Sequence, residues 1–223
     1  MKIVVIFPTS TEAQFFSYSS MITEQITTEQ VTTEQVTTEQ MLSEKVIIEI
    51  GGVGLSAAAY STVKIIAQHQ PDWLIMAGIA GVYAHSTFAV GDVVLVGSEC
   101  ESDLGFFTPG GFTHLADLKL DMDFSIVKEY LCPHLPAEPI LPFANSNSMN
   151  AAMAPFIQIR GVDIENMEGA AFFQVCLAEQ QKFLEVRSIS NRVKIGDDDW
   201  DMEGSIRALT AGLHKVIDYL LKI

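Results

Sequence analysis

Cations are scarce in this chain of 223 residues: 13 lysines and arginines stand against 28 aspartates and glutamates, and no arginine precedes Arg160. A formal net charge of −15 argues against nucleic acid as a partner, because phosphate backbones are held by clustered Lys and Arg. An acidic surface mainly serves solubility. Cysteine is also sparse. Cys100, Cys132 and Cys176 form an odd set without C-x-x-C spacing, which suggests neither a disulfide framework nor a zinc site. The five histidines are scattered and form no H-x-x-x-H or H-E-x-x-H pattern, so neither a metal nor another cofactor is expected. No apolar run approaches a membrane-spanning length, and Met1 to Phe7 is too short for a signal segment. The expectation is a cytoplasmic protein with no membrane contact.

What is present is enough apolar material, 48% of residues, for one α/β domain spanning 1–223. Lys2 to Phe7 reads as a strand buried on both faces, stopped by Pro8 and followed by a helix that Thr9, Ser10 or Thr11 can cap near Glu12. Val46 to Ile50, Trp73 to Ala77, the turn and strand of Val90 to Val96, and Phe183 to Ile189 read as further strands. Helices are expected over Leu55 to Gln68, Asp117 to Leu131, Phe172 to Ala178 and Met202 to Leu221, the last with a helical apolar stripe. The implied architecture is a three-layer α/β/α domain around a mixed, mostly parallel sheet. From Ile22 to Gln40 a five-residue unit, (I/V)-T-T-E-Q, repeats. A spacing of five turns each apolar residue by about 140° around a helix, so no single face results. The reading there is helix at first and edge strand later.

Glu12, Glu168 and Asn191 fall at the carboxyl ends of strands read as parallel, where open α/β sheets bind ligands, and three stretches at strand ends stand out. Gly51-Gly52-Val53-Gly54 joins a strand to a helix N-terminus and reads either as a backbone site for an anion or as a tight turn. Gly78-Ile79-Ala80-Gly81 is a small-residue turn after a buried strand. Val162 to Phe173 sets Glu168 where a strand gives way to a helix, a costly place for a carboxylate unless it is hydrogen-bonded or serves a ligand. Phe106 and Phe107 are read as core rather than as a stacking platform, and Asp92 as a turn residue. Asp197, Asp198 and Asp199 read as an exposed loop, with Trp200 left open.

The runs Glu165-Asn166-Met167-Glu168-Gly169-Ala170-Ala171 and Arg187-Ser188-Ile189-Ser190-Asn191 resemble the nucleoside phosphorylase and nucleosidase superfamily. Within it the resemblance is to the futalosine hydrolases, which act in a menaquinone pathway. It implies that Met167 packs on a ribose, that Glu168 binds the ribose hydroxyls, and that Glu12 takes the proton from an attacking water. It further implies that Gly78 and Ile79 pass beneath the ribose, with Asn166 and Ser190 beside the substrate and Asn191 at the purine edge. A homo-oligomer is implied as well.

N-glycosidic hydrolysis passes through a cationic sugar, which a positioned carboxylate stabilises while a base activates water. The superfamily's phosphorylases bring an arginine to the phosphate near the turn at Gly78, and here only Lys2, Lys45 and Lys64 precede Gly81 as cations. That favours water over phosphate as the nucleophile. The expected partners are therefore a small nucleoside and water. The leading function is release of hypoxanthine from futalosine. The alternatives are a nucleoside phosphorylase, a methylthioadenosine/adenosylhomocysteine nucleosidase, and a non-catalytic nucleoside-binding protein on the same fold.

Overall fold

A computed structural model of the protein describes residues 1–17, 46–118, 126–196 and 200–223. The repeat at Ile22 to Gln40 and the acidic run Asp197 to Asp199 lie outside the described residues. Strand β1 (Ile3–Phe7) is buried along its whole length, and its apolar, largely β-branched side chains suit a strand covered on both faces. It pairs in parallel with β2 (Val46–Ile50) on one side and β3 (Trp73–Val82) on the other. β3 is longer than its apolar core suggested. Gly78, Ile79, Ala80 and Gly81 continue the strand instead of turning, because each pairs along β10 (Phe183–Arg192).

The remaining strands are β4 (Val93–Glu101), the outlying hairpin β5 (Gly105–Thr108) and β6 (Gly111–His114), the short β7 (Tyr130–Leu131), β8 (Phe143–Ser148) and β9 (Ile164–Asn166). Parallel pairs predominate, but β10 runs antiparallel to β4 and β9 antiparallel to β3. β10 pairs with both β3 and β4, so the path β10-β4-β8-β9-β3 closes on itself, and β1 and β2 extend from β3. Glu12 follows a strand parallel to β3 and Asn191 lies near the end of another, whereas Glu168 follows one that opposes β3, so the three do not share one set of parallel strand ends.

Four helices are described. α1 (Ser10–Ala13) is a single turn, α2 (Leu55–His69) and α3 (Gly169–Ala178) pack on each other, and α4 (Met202–Leu220) packs on β10, β3 and β4. The stripe Ile206, Leu209, Leu213, Val216, Ile217 and Leu220 on α4 is buried, as its spacing predicts. The helix expected over Asp117 to Leu131 is not what the described residues form. They make a 3-10 turn at Leu115–Asp117 and the strand β7, while 119–125 are outside the described residues. Phe106 and Phe107 are exposed rather than core, because the β5–β6 hairpin stands off the main sheet. Phe107 packs edge-on to Phe112 and Phe156 at 5.7 and 5.1 Å between ring centres. Among the described residues, no helix is long and apolar enough to cross a membrane.

Candidate active site

Pro8 ends β1 and Thr9 caps α1, accepting the Glu12 N–H at 3.2 Å. The same hydroxyl donates to Glu12 Oε2 at 2.7 Å, and the Ile79 N–H donates to Oε1 at 3.1 Å. The carboxylate is thus held at both oxygens and is only 5% exposed. Burial raises its pKa above the usual value; the bonds from Thr9 and Ile79 and the charge of Arg187 oppose the rise, and Glu168 adds to it. A carboxyl tuned upward in this way is a stronger base at neutral pH.

Glu168 sits at the N-cap position of α3 but does not cap it. Asn166 does so instead, its Oδ1 accepting the N–H groups of Glu168 and Gly169 at 2.8 and 2.7 Å. The Glu168 carboxylate is left to accept from Gly54 N–H at 3.1 Å and from Arg187 Nη1 at 3.2 Å. The Gly-rich turn at the start of α2 therefore binds a carboxylate of the chain itself. Asn150 Oδ1 takes the next amide, that of Leu55, at 3.3 Å.

Arg187 is fully buried. Its Nε donates to Glu185 Oε1 at 2.7 Å, Nη1 also to Ile79 O at 3.3 Å, and Nη2 to Asn166 Oδ1 at 3.1 Å. A Cβ on Gly78 would overlap Arg187 Nη1 and lie 3.1 Å from Glu12 Oε1. Gly78 was expected beside the substrate. The structure places it instead behind the carboxylates, where the missing side chain lets Arg187 reach between Glu12 and Glu168.

A cavity of about 220 Å³ opens over these groups. Glu12, Ile79, Asn166, Met167, Glu168, Ser190 and Asn191 all line it, together with Glu165, Gly81 and the apolar Val53, Met153, Trp200 and Met202. Asn166 borders the cavity, but its amide is occupied internally, its Nδ2 donating to Glu99 Oε1 at 2.6 Å and to Ser146 Oγ at 2.8 Å. Asn191 Nδ2 donates to Arg192 O at 3.1 Å, and its Oδ1 accepts from Ser190 Oγ at 2.9 Å. One amide hydrogen of Asn191 remains for a ligand, rather than the two that an isolated Asn offers.

Residues 2–135 and 142–222 match the sequence profile of the phosphorylase superfamily. The chain belongs to that superfamily. The futalosine hydrolase of Thermus thermophilus is 28% identical over 179 residues, covering 74% of this chain and 78% of that protein. Among solved structures, the futalosine hydrolase of Helicobacter pylori strain 26695 superposes with a TM-score of 0.67 at 14% identity, covering 98% of both chains. A 5'-methylthioadenosine/S-adenosylhomocysteine nucleosidase from S. pneumoniae gives 0.67 at 20% identity, covering 99% of this chain and 98% of that one. These structures show that the fold is shared.

This superfamily member carries a second acidic pair that its sequence did not reveal. Glu99 and Glu185 are both fully buried, and a Cβ on Gly169 would overlap Glu99 Oε1 and come within 2.7 Å of Glu185 Oε1. Glu185 holds the Arg187 guanidinium, whereas Glu99 has only the neutral donors Ser148 at 2.6 Å and Asn166. Burial and the charge of Glu185 push Glu99 well above the usual carboxylate range. Glu99 is therefore the member that keeps a proton. Its only sequence signal was a Glu inside an apolar strand, and the strand reading had stopped short at Val96. Arg187 stood in a recognised run, but nothing local in the sequence signalled that it pairs with Glu168 and Glu185.

Proposed function

We propose that this protein is a hydrolytic purine nucleosidase that cleaves the N-glycosidic bond of futalosine and releases hypoxanthine for menaquinone biosynthesis. The observation that carries the reading is the pair Glu12 and Glu168, brought to one cavity wall from chain positions far apart, with Arg187 set between them. Glu12, anchored at both oxygens and raised in pKa, takes the proton from a water. Glu168 accepts from the ribose hydroxyls and opposes the positive charge that grows on the sugar. Arg187 lies behind Glu168 and holds its orientation through the bond from Nη1 to Oε2. Met167 supplies an apolar surface for the ribose, and Asn191 meets the departing base.

Two features support water as the nucleophile and futalosine as the substrate. Among the described residues lining the cavity none is Lys or Arg, so no free cation stands ready for a phosphate. The relative from Thermus thermophilus is named a futalosine hydrolase, and Asn191 offers the cavity an amide donor suited to a 6-oxopurine acceptor. Incubation with futalosine, inosine and methylthioadenosine, with and without phosphate, tests the proposal. Free hypoxanthine and an unphosphorylated sugar product from futalosine are expected, at a rate indifferent to phosphate. A sugar 1-phosphate would mean a phosphorylase, free adenine from methylthioadenosine alone an adenine-specific nucleosidase, and binding without turnover a nucleoside-binding protein.

A further inference from the structure

Glu165 is a second carboxylate on the cavity wall, and the proposed mechanism leaves it without a task. Gly81 on β3 pairs with Asn191 on β10 and, on its other side, with Glu165 on β9. Residues paired across adjacent strands point to the same face, and neighbouring strands lie about 4.8 Å apart. Asn191 and Glu165 therefore flank Gly81 from backbones about 10 Å apart, and all three line the cavity. Gly81 has no side chain to stand between them, and a Cβ there would come within 2.9 Å of Val193 Cγ2 and 3.3 Å of the Asn191 amide.

Glu165 is fixed in this place. Met153 N–H donates to Oε1 at 2.8 Å and the Tyr83 hydroxyl to Oε2 at 2.9 Å, with Tyr83 steadied in turn by Asn147 Nδ2 at 3.3 Å. Each carboxylate oxygen thus keeps a lone pair beyond the one that its partner uses. With only 6% of its surface exposed, Glu165 lacks bulk water to complete its hydrogen bonding when the cavity is filled. A bound ring that presents a donor there finds a fixed acceptor, whereas a bare ring lone pair meets the carboxylate without a proton to share.

We infer that Glu165 is a specificity-determining residue that accepts the N1–H of a 6-oxopurine whose O6/N7 edge meets Asn191 across Gly81. Hypoxanthine carries acceptors at N7 and O6 and, next to them, a donor at N1. That order matches an amide donor on one side and a carboxylate acceptor on the other. Adenine has an amine beside N7 and a bare lone pair at N1, which would face the Glu165 carboxylate. The pair Asn191 and Glu165 therefore selects against adenine at two adjacent atoms. This assignment deepens the purine nucleosidase reading and rests on the base occupying this cavity.

Calorimetric titration of the free bases tests the assignment without depending on turnover. The wild-type protein should bind hypoxanthine at least about 10-fold tighter than 1-deazahypoxanthine, in which a C–H replaces N1–H with little change of shape. Glu165→Leu, checked for folding by thermal melting, should reduce the preference for hypoxanthine over adenine by about 10-fold or more. Equal binding of hypoxanthine and its 1-deaza analogue, no detectable hypoxanthine binding, or a leucine variant that weakens both bases alike would overturn it. In the last case Glu165 serves only to tie Met153 to Tyr83. Should the leucine variant fail to fold, the comparison of the two analogues on the wild-type protein still decides. Futalosine turnover is scored separately: its absence alongside a hypoxanthine preference that depends on N1–H would refute the substrate and leave the role of Glu165 standing.

Discussion

Arg187 Nη1 donates to Glu168 Oε2 at 3.2 Å, and the same nitrogen occupies the space that a side chain on Gly78 would fill beside Glu12. One buried cation thus lies behind both carboxylates of the cavity wall. Removing one partner of a buried pair leaves an uncompensated charge and costs far more than an exposed pair is worth. The proposed chemistry and the stability of this wall are therefore linked through a single guanidinium.

Gly78→Ala should disturb that link. The added methyl meets Arg187 Nη1 and Glu12 Oε1 in a fully packed strand, and overpacking of this kind costs about 1–3 kcal/mol. Both the melting temperature and kcat with futalosine are expected to fall. An alanine variant with unchanged melting and turnover would show that Arg187 can move aside freely.

Glu12→Gln and Glu168→Gln each keep the shape of the side chain but lose its charge. A drop in kcat of about 100-fold or more is expected for each, with melting curves showing a folded protein. Because the pKa of Glu12 is raised by burial, the base form disappears as pH falls through a value above the ordinary carboxylate range. The wild-type pH profile should show that acid limb, and the residual activity of Glu12→Gln should lack it. Near-normal turnover in either variant would remove that residue from the mechanism.

Glu99→Gln is expected to hold stability better than the wild type as pH rises. Glu99 has its folded pKa raised, so whatever stability its protonated form contributes is present below the unfolded carboxyl pKa and lost as pH rises through the folded value. A glutamine stays neutral throughout. Melting temperatures followed upward from about pH 5, just above the ordinary carboxyl pKa, should therefore fall less in the variant than in the wild type. An equal fall in the two proteins would mean that Glu99 titrates alike in the native and unfolded states.

Asn191→Asp should move base preference toward the 6-amino analogue of futalosine. An ionised Asp offers no donor to O6, and a protonated one donates once and accepts once, which suits N7 beside an exocyclic amine. The change in relative kcat/KM is expected to be about 10-fold or more, in line with about 1–3 kcal/mol for an unsatisfied buried polar group. Because Asn191 Nδ2 also bonds Arg192 O, some loss of absolute rate should accompany it. An unchanged preference would show that Asn191 does not read the purine.

Local pattern alone determined most of the elements. Continuous apolar runs marked β1 and the core of β3, the Thr9-Ser10-Thr11 run marked the start of α1, and the stripe from Ile206 to Leu220 marked α4, because burial of one face or of both imposes its period directly on the residues. The motif from Glu165 to Ala171 and the strand end at Asn191 were legible too, the first from a carboxylate at a strand-to-helix crossing and both from their resemblance to the superfamily. What only the tertiary structure decided lies in cross-strand register and in closure of the sheet. Gly78 to Gly81 read as a turn until pairing with β10 made them strand, and only that pairing sets Arg187 against Gly78 and Asn191 beside Gly81. The opposed direction of β9, the meeting of Glu99 with Glu185 over Gly169, and the placement of Glu165 across from Asn191 all join residues distant in the chain. No local periodicity encodes such contacts, because each depends on which strands become neighbours and in what register.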